Sequence, residues 1–303
     1  MALYLVTGGA GFIGSHIVEQ LVAHGEGVRV LDNFSTGKRA NIHHLPVEIV
    51  EGDVRDRDAV YVAVRDADFV IHQAALVSVP QSMQNPVATH EINVNGTLNV
   101  LLAAHEAQTK RVVLASSCAV YGDNDALPLG ENAGTCPKSP YAASKLIGEV
   151  YCQVFTQAYS LPTVCLRYFN VYGPRQNPNG DYAAVIPKFA ESIATRQAPI
   201  IYGDGQQTRD FVHVYDVVRA NLMACECEPA IGQIFNVATG RGVSLLQLVD
   251  EINETQGTSF APEFRPPRVG DIKHSCGDGS KATQLLQFAP VISLRQGLQT
   301  ILS

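Results

Sequence analysis

An α/β fold, a doubly wound parallel sheet followed by a smaller C-terminal α/β unit, is predicted by three observations. Short, almost continuously apolar runs recur through the first half, as strands covered on both faces require. Segments with helical spacing lie between most of them, giving the alternation of parallel crossovers. The first run also ends in a glycine-rich turn that opens directly into a helical pattern, the local signature of a Rossmann-type sheet. A length of 303 residues with 46% apolar content suits about two domains or one large α/β unit.

The predicted strands, in order, are "LYLVT" (3–7), "GVRVLD" (27–32), "VEIVEGD" (47–53), "ADFVIHQAA" (67–75), "RVVLASS" (111–117) and "PTVCLRY" (162–168). Each is short, rich in β-branched residues and bounded by Gly, Asp, Ser or Pro. Between them, "IGSHIVEQLVAHG" and "EINVNGTLNVLLAAHEA" read as helices. Beyond Asn170 the pattern changes to shorter strands and longer loops, punctuated by Pro174, Pro178, Pro187, Pro266 and Pro267. Two later helices begin with capping boxes, Ser244 with Gln247 and Ser293 with Gln296. The chain therefore divides into a dinucleotide-binding unit, 1–168, and a ligand-facing unit, 169–303, partly interleaved with the sheet.

Composition excludes several classes. A formal charge of -7 argues against a nucleic-acid binder, which needs a basic surface to displace counterions from phosphates. The opening "MALYLVTGGAG" has no basic segment followed by a long apolar one, and nowhere do apolar residues run long enough to span a membrane. Seven cysteines, scattered without scaffold spacing, fit reduced thiols in a cytoplasm. Cys225 and Cys227 have no second Cys or His pair at zinc-site spacing, so no metal is expected.

The strongest local motif is "LYLVTGGAGFIG". Gly8, Gly9, Gly11 and Gly14 stand where the backbone must turn tightly and let a pyrophosphate approach a helix N-terminus. Asp32 ends the next strand, at the distance where a carboxylate reaches a ribose diol and repels a 2′-phosphate. NAD is favoured over NADP on that ground, with Lys38 and Arg39 nearby as the opposing signal. Asp53 is in a position either to approach the adenine or to cap a turn. A second motif is "SPYAASK": Ser139 and Pro140 look like a cap and first-turn proline, which puts Tyr141 and Lys145 one turn apart on one helical face. A phenol must lose about three pKa units, roughly 4 kcal/mol, to act as a base at neutral pH. An adjacent ammonium and a positively charged cofactor ring are the available sources.

Together "TGGAGFIG", Asp32, "NVNGT", "SSCAVYG", "YAASK" and "RYFNVYGPRQ" resemble the extended short-chain dehydrogenase/reductase superfamily over essentially the whole chain. Within it, "VIPKF", "IYGDGQQTRDFVHVYD" and "RPPRVGDIKHSCGD" are similar to UDP-sugar 4-epimerases of the UDP-glucose and UDP-N-acetylglucosamine type. The resemblance implies a catalytic set of Ser117, Tyr141 and Lys145, with Ser116 structural. It implies NAD held at Gly8, Gly11, Phe12, Ile13 and Gly14, at Asp32, Asn33, Ser35, Thr36 and Gly37, and at Asp53 and Val54. Ala74, Ala75, Asn95, Tyr141, Lys145 and Tyr168 complete the implied cofactor contacts. For the UDP-sugar it implies Ser117, Asn170, Val185, Tyr202, Arg209, Arg268, Asp271 and Ser275, with the arginines on the diphosphate, Tyr202 near the uracil and Asp271 on the ribose.

The implied reaction is a reversible oxidation at C4 through a transient 4-keto sugar, with no net redox change. Ser275 is expected beside the C2 substituent, where a small residue leaves room for N-acetyl groups; Asp278 is better placed than Ser275 to cap the helix that begins in "DGSKATQLLQF". The alternatives are a UDP-glucuronate 4-epimerase, another nucleotide-sugar enzyme of the superfamily, or a non-enzymatic NAD-sensing or structural relative. Cys118, where sister dehydratases and decarboxylases carry an acid, argues against those reactions. Ala184, preceding Val185 where GDP-fucose synthase has a histidine, leaves Cys118 without a partner base. A non-enzyme would be expected to have lost Ser117, Tyr141 or Lys145. Helix 140–159 has apolar residues on two lines, Leu146, Val150 and Val154, and Ala143, Ile147 and Tyr151. One line is expected to face the sheet and the other a partner, predicting a homodimer.

Overall fold

The computed structural model describes residues 1–177, 184–267 and 272–302. The first half runs β1 (Leu3–Thr7), α1 (Phe12–Ala23), β2 (Gly27–Asp32), β3 (Glu48–Glu51), α2 (Arg57–Val64), β4 (Phe69–His72), α3 (Val79–Gln84), α4 (Pro86–His90), α5 (Gly96–Glu106), β5 (Arg111–Ser117), α6 (Pro140–Ala158) and β6 (Thr163–Tyr168). The second half continues with β7 (Asn170–Tyr172), α7 (Val185–Ala194), β8 (Ile200–Tyr202), β9 (Thr208–His213), α8 (Val214–Glu226), β10 (Ile234–Val237), β11 (Gly242–Ser244), α9 (Leu245–Gln256), β12 (Glu263–Arg265), α10 (Ser280–Leu285) and α11 (Leu294–Leu302).

One parallel sheet orders its strands β10-β6-β5-β4-β1-β2-β3. The order reverses beside β1, and ligands of such sheets bind at the carboxyl ends of the strands there. Successive side chains go to opposite faces. Tyr4 and Val6 of β1 join Ile17 and Leu21 of α1 and Val217 and Ala220 of α8 in one core, while Leu5 joins Val60 of α2, Leu101 of α5 and Phe155 of α6 in the other. Two-sided burial is what the continuous apolar runs required. Three predicted strands, 3–7, 27–32 and 111–117, have the predicted bounds.

The strand β10 and the helix α8 come from the second half, β10 extending the sheet and α8 covering one face. Two differences from the sequence reading matter. The predicted helix 91–107 opens with a wide π turn at Glu91–Asn95 before α5. On α6, neither predicted apolar line faces the sheet. Ala142, Lys145, Glu149 and Cys152 are buried, while Ile147, Val150 and Val154 lie on the exposed side. Polar residues share the inner face because the helix meets the end of β5, where Lys145 bonds the Ala115 carbonyl and Glu149 accepts from Ser116.

The remaining elements pack around a separate core of Ile186, Phe189, Ile201, Phe211, Leu248 and Leu298. Their small sheets are β11-β9-β7 and β12-β8. Both predicted capping boxes are made: Ser244 and Gln247 exchange side-chain and backbone bonds, as do Ser293 and Gln296.

Candidate active site

The glycine turn is built by close approach. Gly8 has φ +68°, and a Cβ there would lie 2.8 Å from the Ala74 nitrogen; one at Gly14 would lie 2.2 Å from the Gly8 carbonyl oxygen. Helix α1 therefore starts tight against the turn. Gly11, its N-cap, offers no side chain to the first-turn N–H groups, which include those of Phe12 and Ile13. Such groups need an outside acceptor, and a pyrophosphate fits.

Asp32 is buried at the end of β2. Its Oδ2 accepts the Ala10 N–H at 2.9 Å and its Oδ1 the Phe34 N–H at 2.8 Å. Gly37 packs so closely that a Cβ would lie 2.9 Å from both carboxylate oxygens. The carboxylate thus joins the glycine turn to the 33–37 loop that carries Asn33, Ser35 and Thr36. Arg39 is engaged by Glu51 and lies over the Phe34 ring at 4.0 Å, which removes much of its availability to a 2′-phosphate. Asp53 accepts from Asn33 Nδ2 at 2.7 Å and from the Arg55 backbone N–H at 2.9 Å, so it does form a turn cap. The Arg55 guanidinium beside it holds the carboxyl well below the usual range. Val54 packs on Gly96, and Ala74 donates its N–H to Thr7 Oγ1 at 3.2 Å. Asn95 is exposed at the end of the π turn, and Ala74 and Ala75 lie in the segment that follows β4. Tyr168 ends β6 opposite Ser117, and its hydroxyl accepts from Gln73 and donates to Asn221, both at 2.9 Å.

At the other side of the same edge, Ser139 Oγ caps α6 by accepting the Ala142 N–H at 3.2 Å, with Pro140 in the first turn. This sets the Tyr141 phenol beside Ser117, whose hydroxyl favours its ionised form. Lys145 is buried, donates from Nζ to the Ala115 carbonyl at 2.8 Å and lies 5.9 Å from the Tyr141 ring centroid. Burial pushes the Tyr141 phenol up to about 12 against the lowering effect of Ser117, and pulls Lys145 down to about 8. Without the cofactor ring, whose positive charge is expected to act beside the ammonium, desolvation outweighs the protein's own groups.

Ser275 is buried beside these groups. Its N–H donates to the Thr208 carbonyl at 3.1 Å, and its hydroxyl lies beside the Cys118 thiol, itself pushed up to about 11 by burial. Asp278, rather than Ser275, serves the start of α10, accepting the Ser280 N–H at 2.9 Å. Arg209, one residue after Thr208, directs Nη1 to the Thr208 carbonyl at 2.9 Å. Asn170 opens β7, Val185 opens α7 and Tyr202 ends β8. Arg268 and Asp271 lie outside the described residues.

Sequence reasoning missed Asp210. This fully buried carboxylate accepts from Thr239 N–H at 2.8 Å, Thr239 Oγ1 at 2.6 Å, Gly240 N–H at 3.0 Å and Gly277 N–H at 3.1 Å. It ties the Ser275 segment to β9. An acid inside the run "DFVHV" was the available signal, because a buried charge needs such partners. Among the described residues no group of His, Cys, Asp and Glu is arranged to hold a metal.

The pattern of the NAD dependent epimerase/dehydratase family matches residues 4–238. The chain is 40% identical over 301 residues to a UDP-glucose 4-epimerase of Mycolicibacterium smegmatis, a match covering 97% of this chain and 95% of that protein. A UDP-glucose 4-epimerase from Thermotoga maritima, solved with UDP-glucose, superposes with a TM-score of 0.95 at 38% identity, over 99% of this chain and 97% of that one. A UDP-N-acetylglucosamine 4-epimerase from Methanobrevibacter ruminantium M1, in complex with UDP-N-acetylmuramic acid, superposes with a TM-score of 0.94 at 38% identity, over 99% and 98%. The resemblance drawn from the motifs is borne out over the same extent. A glycine turn built for a pyrophosphate, a Ser-Tyr-Lys set at the same sheet edge and these full-length likenesses agree: the chain belongs to the NAD dependent epimerase/dehydratase family.

Proposed function

We propose that the chain is a UDP-sugar 4-epimerase that inverts C4 of UDP-hexoses, N-acetylated ones included, through a transient 4-keto sugar. The observation that carries this reading is the meeting of α6 with the end of β5, where Lys145 bonds the Ala115 carbonyl and lies 5.9 Å from the Tyr141 ring centroid, and Tyr141 stands beside Ser117. Bound NAD supplies a reversible hydride acceptor at C4. Tyr141, as phenolate, takes the proton from O4 and later returns it, Ser117 hydrogen-bonds the same oxygen, and the Lys145 ammonium favours the phenolate. Asn170, Arg209 and Arg268 hold the diphosphate, Asp271 the ribose and Tyr202 the uracil, while Val185 and Ser275 border the sugar. A firmly held nucleotide with a lightly held hexose allows the ketone to present either face.

In this reading residues 1–168 chiefly bind the cofactor and 169–303 the nucleotide sugar. The partner is a second copy of the chain, docked on the α6 stripe of Ala143, Ile147, Val150, Tyr151 and Val154. Its last members are exposed, Val150 by 51% and Val154 by 44%. Seven free cysteines suit a reducing cytoplasm. Among the described residues no helix is long and apolar enough to cross a membrane.

The test is chromatographic separation of UDP-sugars after incubation without added cofactor. Wild type should equilibrate C4 epimers, while Tyr141→Phe should retain its NAD and lose activity by about two to four orders of magnitude, as when a general base is removed. Unchanged turnover in that variant would remove the mechanism.

A further inference from the structure

The helix α6 carries a carboxylate for which the proposed reaction has no use. Glu149, one turn beyond Lys145, is 1% exposed. Its Oε1 accepts from Ser116 Oγ at 2.5 Å and from Arg167 Nε at 2.8 Å, and its Oε2 from Arg167 Nη2 at 2.7 Å. Arg167 is itself buried on β6 and stacks over the Tyr121 ring at 4.7 Å. A buried ion pair is a poor way to gain stability, since desolvation offsets most of the attraction. What it does give is direction, because a paired fork and carboxylate fit in one geometry.

That geometry sits on the catalytic strand. Three consecutive residues of β5 meet three successive turns of α6: the Ala115 carbonyl accepts Lys145 Nζ, Ser116 Oγ donates to Glu149, and Ser117 lies beside Tyr141. Resting on the proposed roles of Tyr141 and Lys145, we infer that Glu149, gripped by Ser116 and Arg167, is a positioning residue that locks both catalytic side chains against Ser117 and sets the negative charge facing Lys145.

The surroundings leave that electrostatic task to Glu149. On α6 itself Lys145 is flanked by Tyr141 and Glu149. From β4 comes His72, which burial holds neutral at about 3 between the hydroxyls of Thr7 and Thr97. From β6, behind Glu149, comes Arg167, whose charge is paired with Glu149, and from the end of β5 come Ser117 and the Cys118 thiol. Burial pulls Lys145 down and Glu149 opposes it. Without the carboxylate, the ammonium should lose its proton at lower pH, and the phenolate its support.

The experiment compares pH profiles of kcat and kcat/KM for NAD-loaded wild type and Glu149→Gln. The expected result is a fall in kcat of about tenfold or more with KM and bound NAD within about twofold of wild type, and an alkaline limb moved to lower pH by about one unit. If Glu149→Gln fails to fold because Arg167 is left unpaired, the double variant Glu149→Leu with Arg167→Met removes both charges and must show the limb displaced in the same direction, by less because the opposing cation has gone too. A profile lowered uniformly, or not at all, with its limb in place in the variant that folds overturns the inference. An active Tyr141→Phe sinks the underlying reading; an inactive one beside an unmoved Glu149→Gln limb sinks this inference alone.

Discussion

Removing NAD should leave Tyr141 a phenol across the neutral range, and the geometry says by how much. Burial puts the group at about 12. The Lys145 ammonium lies 5.9 Å from the ring centroid. At an effective dielectric near 20, that separation is worth about 3 kcal/mol, or about 2 pKa units. While Lys145 keeps its proton the phenol comes down only to about 10, and because that ammonium itself sits at about 8, at pH 8 no more than about one molecule in a hundred would be ionised. Reaching neutrality takes about 4 kcal/mol more, which the positive charge of the oxidised cofactor must contribute. The assay is the phenolate absorbance of wild type minus that of Tyr141→Phe, titrated with NAD stripped and again with NAD restored. A Tyr141 pKa near 7 in the stripped protein would refute the reasoning, as would one still near 10 with NAD bound.

Two further outcomes follow from the same geometry. Ser275 is pinned through its own N–H to Thr208, through the Cys276 carbonyl to Leu129 and through the Gly277 N–H to Asp210, so Ser275→Tyr cannot swing its ring aside by moving the chain. Its kcat/KM for N-acetylated UDP-sugars relative to UDP-galactose should fall by roughly 10- to 200-fold, the range for a misfit in a substrate pocket; an unchanged ratio would show that Ser275 does not border C2. Val150→Glu places a charge in the exposed α6 stripe and should turn a dimer into a monomer in sedimentation at micromolar concentration. A wild type already monomeric there would dispose of the dimer.

Local patterns were legible where the physics is local. The strands 3–7, 27–32 and 111–117 could be read to the residue because the sheet buries both faces, leaving unbroken apolar runs with turn residues at their ends. The spacing of Tyr141 and Lys145, the Ser139 cap and the glycine turn were legible for the same reason. The strand β10, "IFNV", was not: it is short, Asn236 interrupts it, and only its pairing with β6 makes it a strand. Glu149 looked like an ordinary helix residue because Ser116 lies 33 positions away and Arg167 18 away, so nothing nearby in the chain announces the contact. The protonation of Tyr141 was equally hidden. Sequence spacing supplies its neighbours but not the exclusion of water that pushes the phenol up.

The late arrival of β10 bears on how the protein is made. As the chain leaves the ribosome, the first six strands can pair in sequence, but the sixth, buried at all six of its positions in the finished molecule, must wait for residues 234–237 to cover its outer edge. Until then the nascent chain presents an apolar, unpaired strand edge, the feature that draws other chains into aggregates. Stalled or nonsense-terminated products ending before residue 238 should therefore be sticky rather than merely inactive, and the cofactor half is not a module that can be cut free at the end of β6.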